Sequence, residues 1–489
     1  MIWILILLPA LAGFVAMIIR SDSVRRQLLV TVAALHSIVT ALCWWHRPRN
    51  LANGWLGMDA ISLWFLSITS MLFLATSVYA LGFLAREQRG KRLDFEEDFL
   101  FANASETAFT GCLLLFLSTM TLVTVSRHVG LLWVAVEATT LASAPLIMFH
   151  RHYRSLEATW KYLLICSVGI ALALLGNFFL AAGLPSSEHI PMTLDSIVAA
   201  AGGINHVWLK MALVLSIIGY GTKMGLAPLH TWLPDAHSES PSLVSALLSG
   251  ALLNCAFIAI FRMHTICVAA NLGDFSRQLL LLFGLVSMGF AAIFIIAQSD
   301  FKRMLAYSSV EHMGILAAGI GFGGIGGNGA ILHSMNHSLS KGMLFLLAGN
   351  ILTAYKTKNI ESVSGVIRRL PVSGVLWIAG FLAITGSPPF GTFISELTIL
   401  RAAFQQGHTL AGVVYLIALV MIFAAMASLF LRMAYGQSSV KMDVPQYKEP
   451  LTAIAPPLIL CIGVLALGVW IPDRVTSVIQ EAVALLEAR

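Results

Sequence analysis

The 489-residue chain (52.8 kDa) takes 58% of its residues from the apolar set AVILMFWYC and only 11% from Asp, Glu, Lys and Arg, with a mean hydropathy of +0.84. A soluble domain carries about 25% charged residues, so this surface could not be hydrated, and neither a soluble enzyme nor a nucleic-acid-binding domain fits. Thirty Lys and Arg against 24 Asp and Glu leave a net charge of +6, which in a membrane chain acts mainly to orient the helices.

Apolar runs long enough to cross a bilayer as helices recur from end to end. They lie at about 2–19, 28–45, 59–84, 107–126, 129–149, 161–183, 208–236, 242–262, 278–299, 303–323, 328–354, 371–403, 409–431 and 451–471, which makes fourteen. The expected fold is therefore an all-α polytopic membrane protein. The first run, MIWILILLPALAGFVAMII, has no basic residue before it and Arg20, Arg25 and Arg26 after it. A signal peptide has the reverse charge order, so an uncleaved membrane helix is expected. Loops after odd-numbered spans hold nineteen basic residues, from Arg20 to Lys448; loops after even-numbered spans, with the C-terminal tail, hold eight. The positive-inside rule then places both termini outside and the richer side in the cytoplasm of a bacterial-type inner membrane.

Two spans are too long and broken midway. The seventh, VWLKMALVLSIIGYGTKMGLAPLHTWLPDAH, contains Gly225, Pro228 and Pro234; the twelfth, PVSGVLWIAGFLAITGSPPFGTFISELTILRAAF, contains Gly386, Pro388, Pro389 and Gly391. Proline removes a donor and frees carbonyls that lipid cannot satisfy, so such breaks belong beside a cavity or inside a bundle. Breaks five spans apart divide the chain into a three-helix segment (1–106), a first five-helix repeat (107–263, spans 4–8), a second (277–435, spans 9–13) and a C-terminal helix (436–489). An odd number of crossings makes the repeats inverted, an arrangement that sets discontinuous helices around a central transport site.

Six scattered cysteines without a C-x-x-C exclude iron–sulfur and zinc frameworks, and no nucleotide fingerprint is present. GFGGIGGNG at 321–329 joins two apolar runs as a tight turn. No cofactor and no metal is expected.

Ionisable groups inside apolar runs are costly and persist when paired or facing water. Glu137 lies in GLLWVAVEATTLASAPLI, Lys223 just before the first break, Glu396 after the second, His312 in LAYSSVEHMGILAAG, and His333, His337 and Lys341 in ILHSMNHSLSKGMLFLL. The last three fall at i, i+4 and i+8, forming one helical stripe with steps of about 6 Å. A water between neighbours would complete a proton relay of groups able to titrate near neutrality. Haem ligation needs histidines on facing helices, which i, i+4 does not supply and His312 with His337 could. Lys161, at the head of the sixth span, either joins a relay or snorkels to the interface. Asp235 and Glu239 lie past the first break as loop residues or entry gates, and Arg401 is interfacial.

GYGTKMGLAPLHTWLPDAHSESPSLVSALLSG, SDFKRMLAYSSVEHMG and ILHSMNHSLSKGMLFLLAGN resemble the antiporter-like, proton-pumping membrane subunits of complex I, Mrp antiporters and membrane-bound hydrogenases. WVAVEATTLASAPLI, SLEATWKYLLICSVGIALALLG and SGALLNCAF are most similar to the hydrogenase-4, formate hydrogenlyase type. The resemblance spans roughly 100–435. It implies fourteen helices with inverted repeats, no redox centre, and ion translocation driven by a partner's electron transfer. Glu137 and Lys223 match the paired fifth- and seventh-span residues, Lys161 a sixth-span lysine, His312, His333, His337 and Lys341 the central relay, and Glu396 the terminal acid. Complex I subunits commonly carry a lysine where this chain has Asn254, which leaves the link between halves to water or His312. No long lateral helix is expected after the last span.

The leading expectation is a proton-translocating, or sodium-translocating, membrane subunit of a hydrogenase or complex-I-like oxidoreductase, partnered by other membrane subunits and through them by iron–sulfur and hydrogenase subunits. A redox-independent cation/proton antiporter or inorganic-carbon uptake subunit, and a structural anchor with a vestigial channel, are the alternatives.

Overall fold

A computed structural model describes residues 1–87, 90–93, 100–185, 190–436 and 447–486. Of the charges used to orient the chain, Arg89, Lys441 and Arg489 lie outside the described residues. The chain is a helical membrane protein with, among the described residues, one short two-stranded hairpin. Its first half runs α1 (Ile2–Ile18), α2 (Asp22–Leu42), α3 (Ala60–Arg86), a short hairpin of β1 (Lys91–Leu93) and β2 (Leu100–Ala102), α4 (Glu106–Val125), α5 (Val129–Ile147), α6 (Tyr153–Gly183), the small α7 (Leu194–Ala199), α8 (His206–Met224) and α9 (Trp232–Glu239). Next, α10 (Ser242–Leu247) passes through a π turn at Leu248–Leu252 into α11 (Leu253–Ala269). The second half runs α12 (Gly273–Ile296), α13 (Phe301–Phe322), α14 (Gly326–Tyr355), the small α15 (Val366–Arg369), α16 (Pro371–Ile384), α17 (Gly391–Gln405), α18 (Thr409–Tyr435), α19 (Leu451–Val469) and α20 (Asp473–Ala484).

Among the described residues nine of these helices are long and apolar enough to cross a membrane. The other five expected runs, at α1, α2, α13, α14 and α16 with α17, are also helical but shorter, more polar or broken. Two boundaries differ from expectation. α6 begins at Tyr153, because His152 caps it by accepting from the Ser155 N–H at 3.1 Å, so Lys161 sits two turns inside a helix rather than at its head. Beyond α19 the strongly amphipathic α20 packs its apolar residues Val478, Ile479, Ala482 and Val483 inward; the expected single C-terminal helix is thus two.

Burial sets the architecture. The apolar stretch of α10 and α11 that could cross a membrane is wholly buried, whereas only 28% of that in α18 is. α14 is buried over almost its entire length, as a helix inside a bundle should be. The central helices are tied to the first segment by hydrogen bonds: Trp64 Nε1 donates to Ser334 Oγ (3.0 Å), and Tyr79 OH to Asn350 Oδ1 (3.0 Å). α6, α12, α18 and α19 form the outer wall, with apolar side chains such as Leu164, Val168, Ile293 and Val420 facing outward. The stripe of His333, His337 and Lys341 on α14 therefore lies at the centre of the bundle.

Candidate functional site

Both breaks have the same local design. α8 ends at Gly225 (φ +85) and Pro228 follows three residues on; α16 ends before Gly386 (φ +62) and Pro389 follows three residues on. Glycine suits both left-handed positions because it has no Cβ to collide with the chain. Carbonyls and donors freed at the first break find protein partners: Trp232 Nε1 donates to the Thr222 carbonyl (2.8 Å), and the Ala227 N–H donates to Ser287 Oγ (2.9 Å). Irregular backbone is thereby tolerated at membrane depth.

Lys223 occupies the last turn of α8 and is fully buried. Its ammonium donates to Thr140 Oγ1 (2.8 Å) and Tyr162 OH (2.5 Å), and lies 4.5 Å from the Tyr162 ring centroid. Glu137 is half-buried. It accepts from Ser167 Oγ (2.8 Å) and Thr140 Oγ1 (3.2 Å). The expected Glu137–Lys223 pair is therefore a bridged one, with the Thr140 hydroxyl between acid and ammonium rather than a direct contact. Thr140 lies one turn from Glu137 on α5, which places its hydroxyl on the same face, toward α8.

The second-half cluster is tighter than a single stripe. His312 of α13 wedges against α14: its Nδ1 hydrogen-bonds His333 Nε2 at 2.9 Å, and its ring lies 5.1 Å from that of His337. His333 Nδ1 in turn bonds Ser395 Oγ at 2.9 Å, beside Glu396 on α17. Lys341 donates to the Leu305 carbonyl at 2.6 Å. The Glu396 carboxylate lies against Gly386, filling the space a Cβ would take. One atom each of His312, His333 and Glu396 fall within 4.8 Å of one another. This donor set suits a divalent transition ion by type; the His312–His333 hydrogen bond takes one nitrogen of each ring, and His312 Nε2 has no protein partner. Of the residues expected to form the second-half relay, His312, His333, His337 and Glu396 come together, and Lys341 lies one turn beyond His337 on α14.

Asn254 sits at the junction of the halves. Its Nδ2 donates to the Gly250 carbonyl (2.8 Å) and to Ser338 Oγ (2.9 Å), next to His337, and its Oδ1 has no protein partner. The neighbouring Cys255 is within electrostatic reach of Lys223. Asn254 thus contacts the second-half helix α14 through Ser338.

Lys161 stands apart. It is 45% exposed and pairs with Glu157 (2.7 Å) and Asp235 (3.0 Å), while Arg303 also reaches Asp235 (2.8 Å). Glu239 bonds Lys358 at 2.8 Å. Burial works against its charge, yet the Lys358 ammonium holds the Glu239 carboxyl below its ordinary value. Glu239, His152, Lys302 and Lys358 line a cavity of about 160 Å³. Arg401 is exposed.

Functional candidates beyond the sequence reading appear in the same network. Glu311 is buried beside His312, within electrostatic reach of Lys341 and Glu396; an acid inside an apolar run was signal enough. His237 is fully buried, stacks on Phe345 at 5.0 Å, and has both ring nitrogens unpartnered. It faces Lys341 and His337 electrostatically. Thr140, Tyr162 and Tyr415 carry no comparable signal, since hydroxyls are common in membrane helices.

Residues 126–423 match the family described as NADH:quinone oxidoreductase/Mrp antiporter, transmembrane. The chain is 33% identical over 435 residues to a hydrogenase-4 component F homolog of Methylacidiphilum infernorum (isolate V4), covering 88% of each. It is 27% identical over 471 residues to hydrogenase-4 component B of Escherichia coli (strain K12), covering 91% of this chain and 67% of that one. Its fold is similar to a chain of the membrane-bound sulfane sulfur reductase, an archaeal respiratory membrane complex, with a TM-score of 0.87, 21% identity, and coverage of 99% and 97%. With the family match extending over more than half its length, from the end of α4 into α18, the chain belongs to the NADH:quinone oxidoreductase/Mrp antiporter family of membrane subunits.

Proposed function

We propose that this chain is a proton-translocating membrane subunit of a hydrogenase or complex-I-like oxidoreductase, coupled to electron transfer in iron–sulfur and hydrogenase partners. The observation that carries the reading is the run of buried polar and ionisable groups across both breaks. It starts at Glu137, Thr140, Lys223 and Tyr162, passes Asn254 and Ser338, and reaches His337, Lys341, His312, His333 and Glu396. Protons fit better than sodium, because the centre of the run is built of imidazoles and an ammonium rather than the oxygen cage a hard cation prefers. Spans 4–8 and 9–13 act as inverted repeats, a reading supported by the shared Gly-x-x-Pro break. An even number of spans, fourteen, would put both termini on one side, and the excess of basic residues in the opposite loops makes that side the periplasm.

In this mechanism Thr140 holds Glu137 and Lys223 in communication. A partner-driven change at the half-buried Glu137 withdraws the bridge, and Lys223 releases its proton toward water held at the free Oδ1 of Asn254. His337 and Lys341 receive it, the hydrogen-bonded His312–His333 pair moves it laterally, and Glu396 delivers it to the far side. Lys161, paired at the rim with Asp235, serves the entrance rather than the relay. The cavity at Glu239 supplies the cytoplasmic mouth, and His237 connects it inward to Lys341.

The test is proton uptake by vesicles holding the assembled complex, measured beside the partner's electron-transfer rate. Lys341→Met and Glu396→Gln should each assemble, keep most electron transfer and lose most uptake. Unchanged uptake in both variants would leave the chain as an anchor.

A further inference from the structure

Resting on that reading, we propose that protons leave Glu396 through the Tyr415 hydroxyl, and that the ring of Phe322 is the gate closing this outlet. Tyr415 of α18 is fully buried, yet its hydroxyl has no hydrogen-bond partner. A buried unpaired hydroxyl is unfavourable, and phenylalanine would pack as well without it. Tyr415 packs in one cluster with Ile399, which lies one turn beyond Glu396 on α17, and its hydroxyl is within electrostatic reach of Glu396 and Glu311.

Outward from Tyr415 the polar run stops. Ile315, Ala318, Phe322 and Ile399 surround Tyr415 in an apolar cluster that is separate from the main core. The Phe322 ring stands edge-on to Tyr415 at 6.3 Å and 6.0 Å from the ring of His408. His408 is exposed at the start of α18, two turns from Tyr415, or about 10 Å along the axis. A ring without donor or acceptor therefore stands between a buried tyrosine and a surface histidine.

The position of Phe322 suits a gate. It is the last residue of α13, and Gly323 (φ +72) and Gly324 (φ +51) follow it. The ring can swing at this hinge without moving the helix that holds His312. A cavity of about 300 Å³, bordered by His264, Asp274, Arg277 and the same two glycines, opens on the other side of this turn. With the ring displaced, water enters. One entering water bridges Glu396 and the Tyr415 hydroxyl, which share no direct hydrogen bond: Glu396 in its acid form passes its proton through that water to the Tyr415 oxygen as the hydroxyl gives its own to a second water. Glu396 is left as carboxylate, Tyr415 is unchanged, and the second water protonates His408 or bulk solvent.

The experiment uses the assembled complex in vesicles with an imposed pH gradient and a potassium clamp, without electron-transfer substrates. Phe322→Ala should raise passive proton leak, and adding Glu396→Gln should abolish the excess. In turnover, Tyr415→Phe, which keeps the ring and should fold normally, should lower uptake by on the order of tenfold, the low end for losing a positioned proton carrier. The gate is overturned if Phe322→Ala leaks no more than wild type, or if its leak survives Glu396→Gln. The outlet is overturned if Tyr415→Phe pumps normally while Glu396→Gln does not. Normal pumping by Glu396→Gln itself refutes the relay, and with it the outlet.

Discussion

Gly386→Ala separates the second break's backbone from its chemistry. Gly225 and Gly386 hold equivalent left-handed positions, φ +85 and +62. Alanine costs roughly 1–2 kcal/mol in that conformation at either site. The neighbours differ. At residue 225 the new methyl meets Leu233 Cδ1 at 2.5 Å, the far end of an apolar side chain that can rotate away. At residue 386 it falls on the Glu396 carboxylate. That carboxylate is also a flexible end, so the fold survives, but the acid must move by about 1 Å or more, and displacement on that scale costs on the order of 10²-fold in a transfer step. Gly386→Ala should therefore assemble, yet lower proton uptake about 10²-fold, while Gly225→Ala stays within about tenfold. Adding Glu396→Asp to Gly386→Ala shortens the acid by one methylene and should restore part of the loss. Uptake measured by acridine-dye quenching in vesicles, normalised to complex content, decides the matter. Equal losses at 225 and 386, or no recovery with aspartate, would refute the argument that the second glycine exists to seat Glu396.

Two further outcomes follow from the hydrogen bonds. Thr140→Val keeps shape but removes the hydroxyl joining Glu137 to Lys223; it should cost about 1–3 kcal/mol at the buried ammonium and uncouple uptake from electron transfer, and normal coupling would show that Thr140 is packing. Asp59 caps α3 through the Ser62 N–H (2.9 Å) and pairs with Arg262; burial alone would raise its carboxyl, but Arg262 with Arg127 holds it well below the ordinary range. A carboxyl lowered in the folded state contributes stability that is fully present above its unfolded value, near 3.9, and is lost as pH falls toward the folded one. Asp59→Asn should thus lose about 3–5 kcal/mol at neutral pH, and its melting temperature should begin to approach wild type only as pH falls below about 4, toward the folded value; a pH-independent gap would refute the ion-pair account.

Membrane embedding and the helical skeleton are legible along the chain itself. Apolar runs dictate membrane helices because lipid leaves no other way to satisfy the backbone. Gly225 with Pro228 and Gly386 with Pro389 dictate the two breaks, since only these residue types end a helix so abruptly. Period arithmetic placed His333, His337 and Lys341 on one face. The tertiary structure alone decided which groups meet. Lys161 reads like a relay residue along the chain, but the earlier start of α6 turns it to the exposed rim and to Asp235. Thr140 reads as an ordinary helix residue, and only the packing of α5 beside α8 puts its hydroxyl between Glu137 and Lys223. His312 comes from a different helix than the stripe it completes. Helical periodicity reports which residues share a face; which face of which other helix stands opposite depends on crossings set by side chains far apart in the sequence, and a proton relay is made of those meetings.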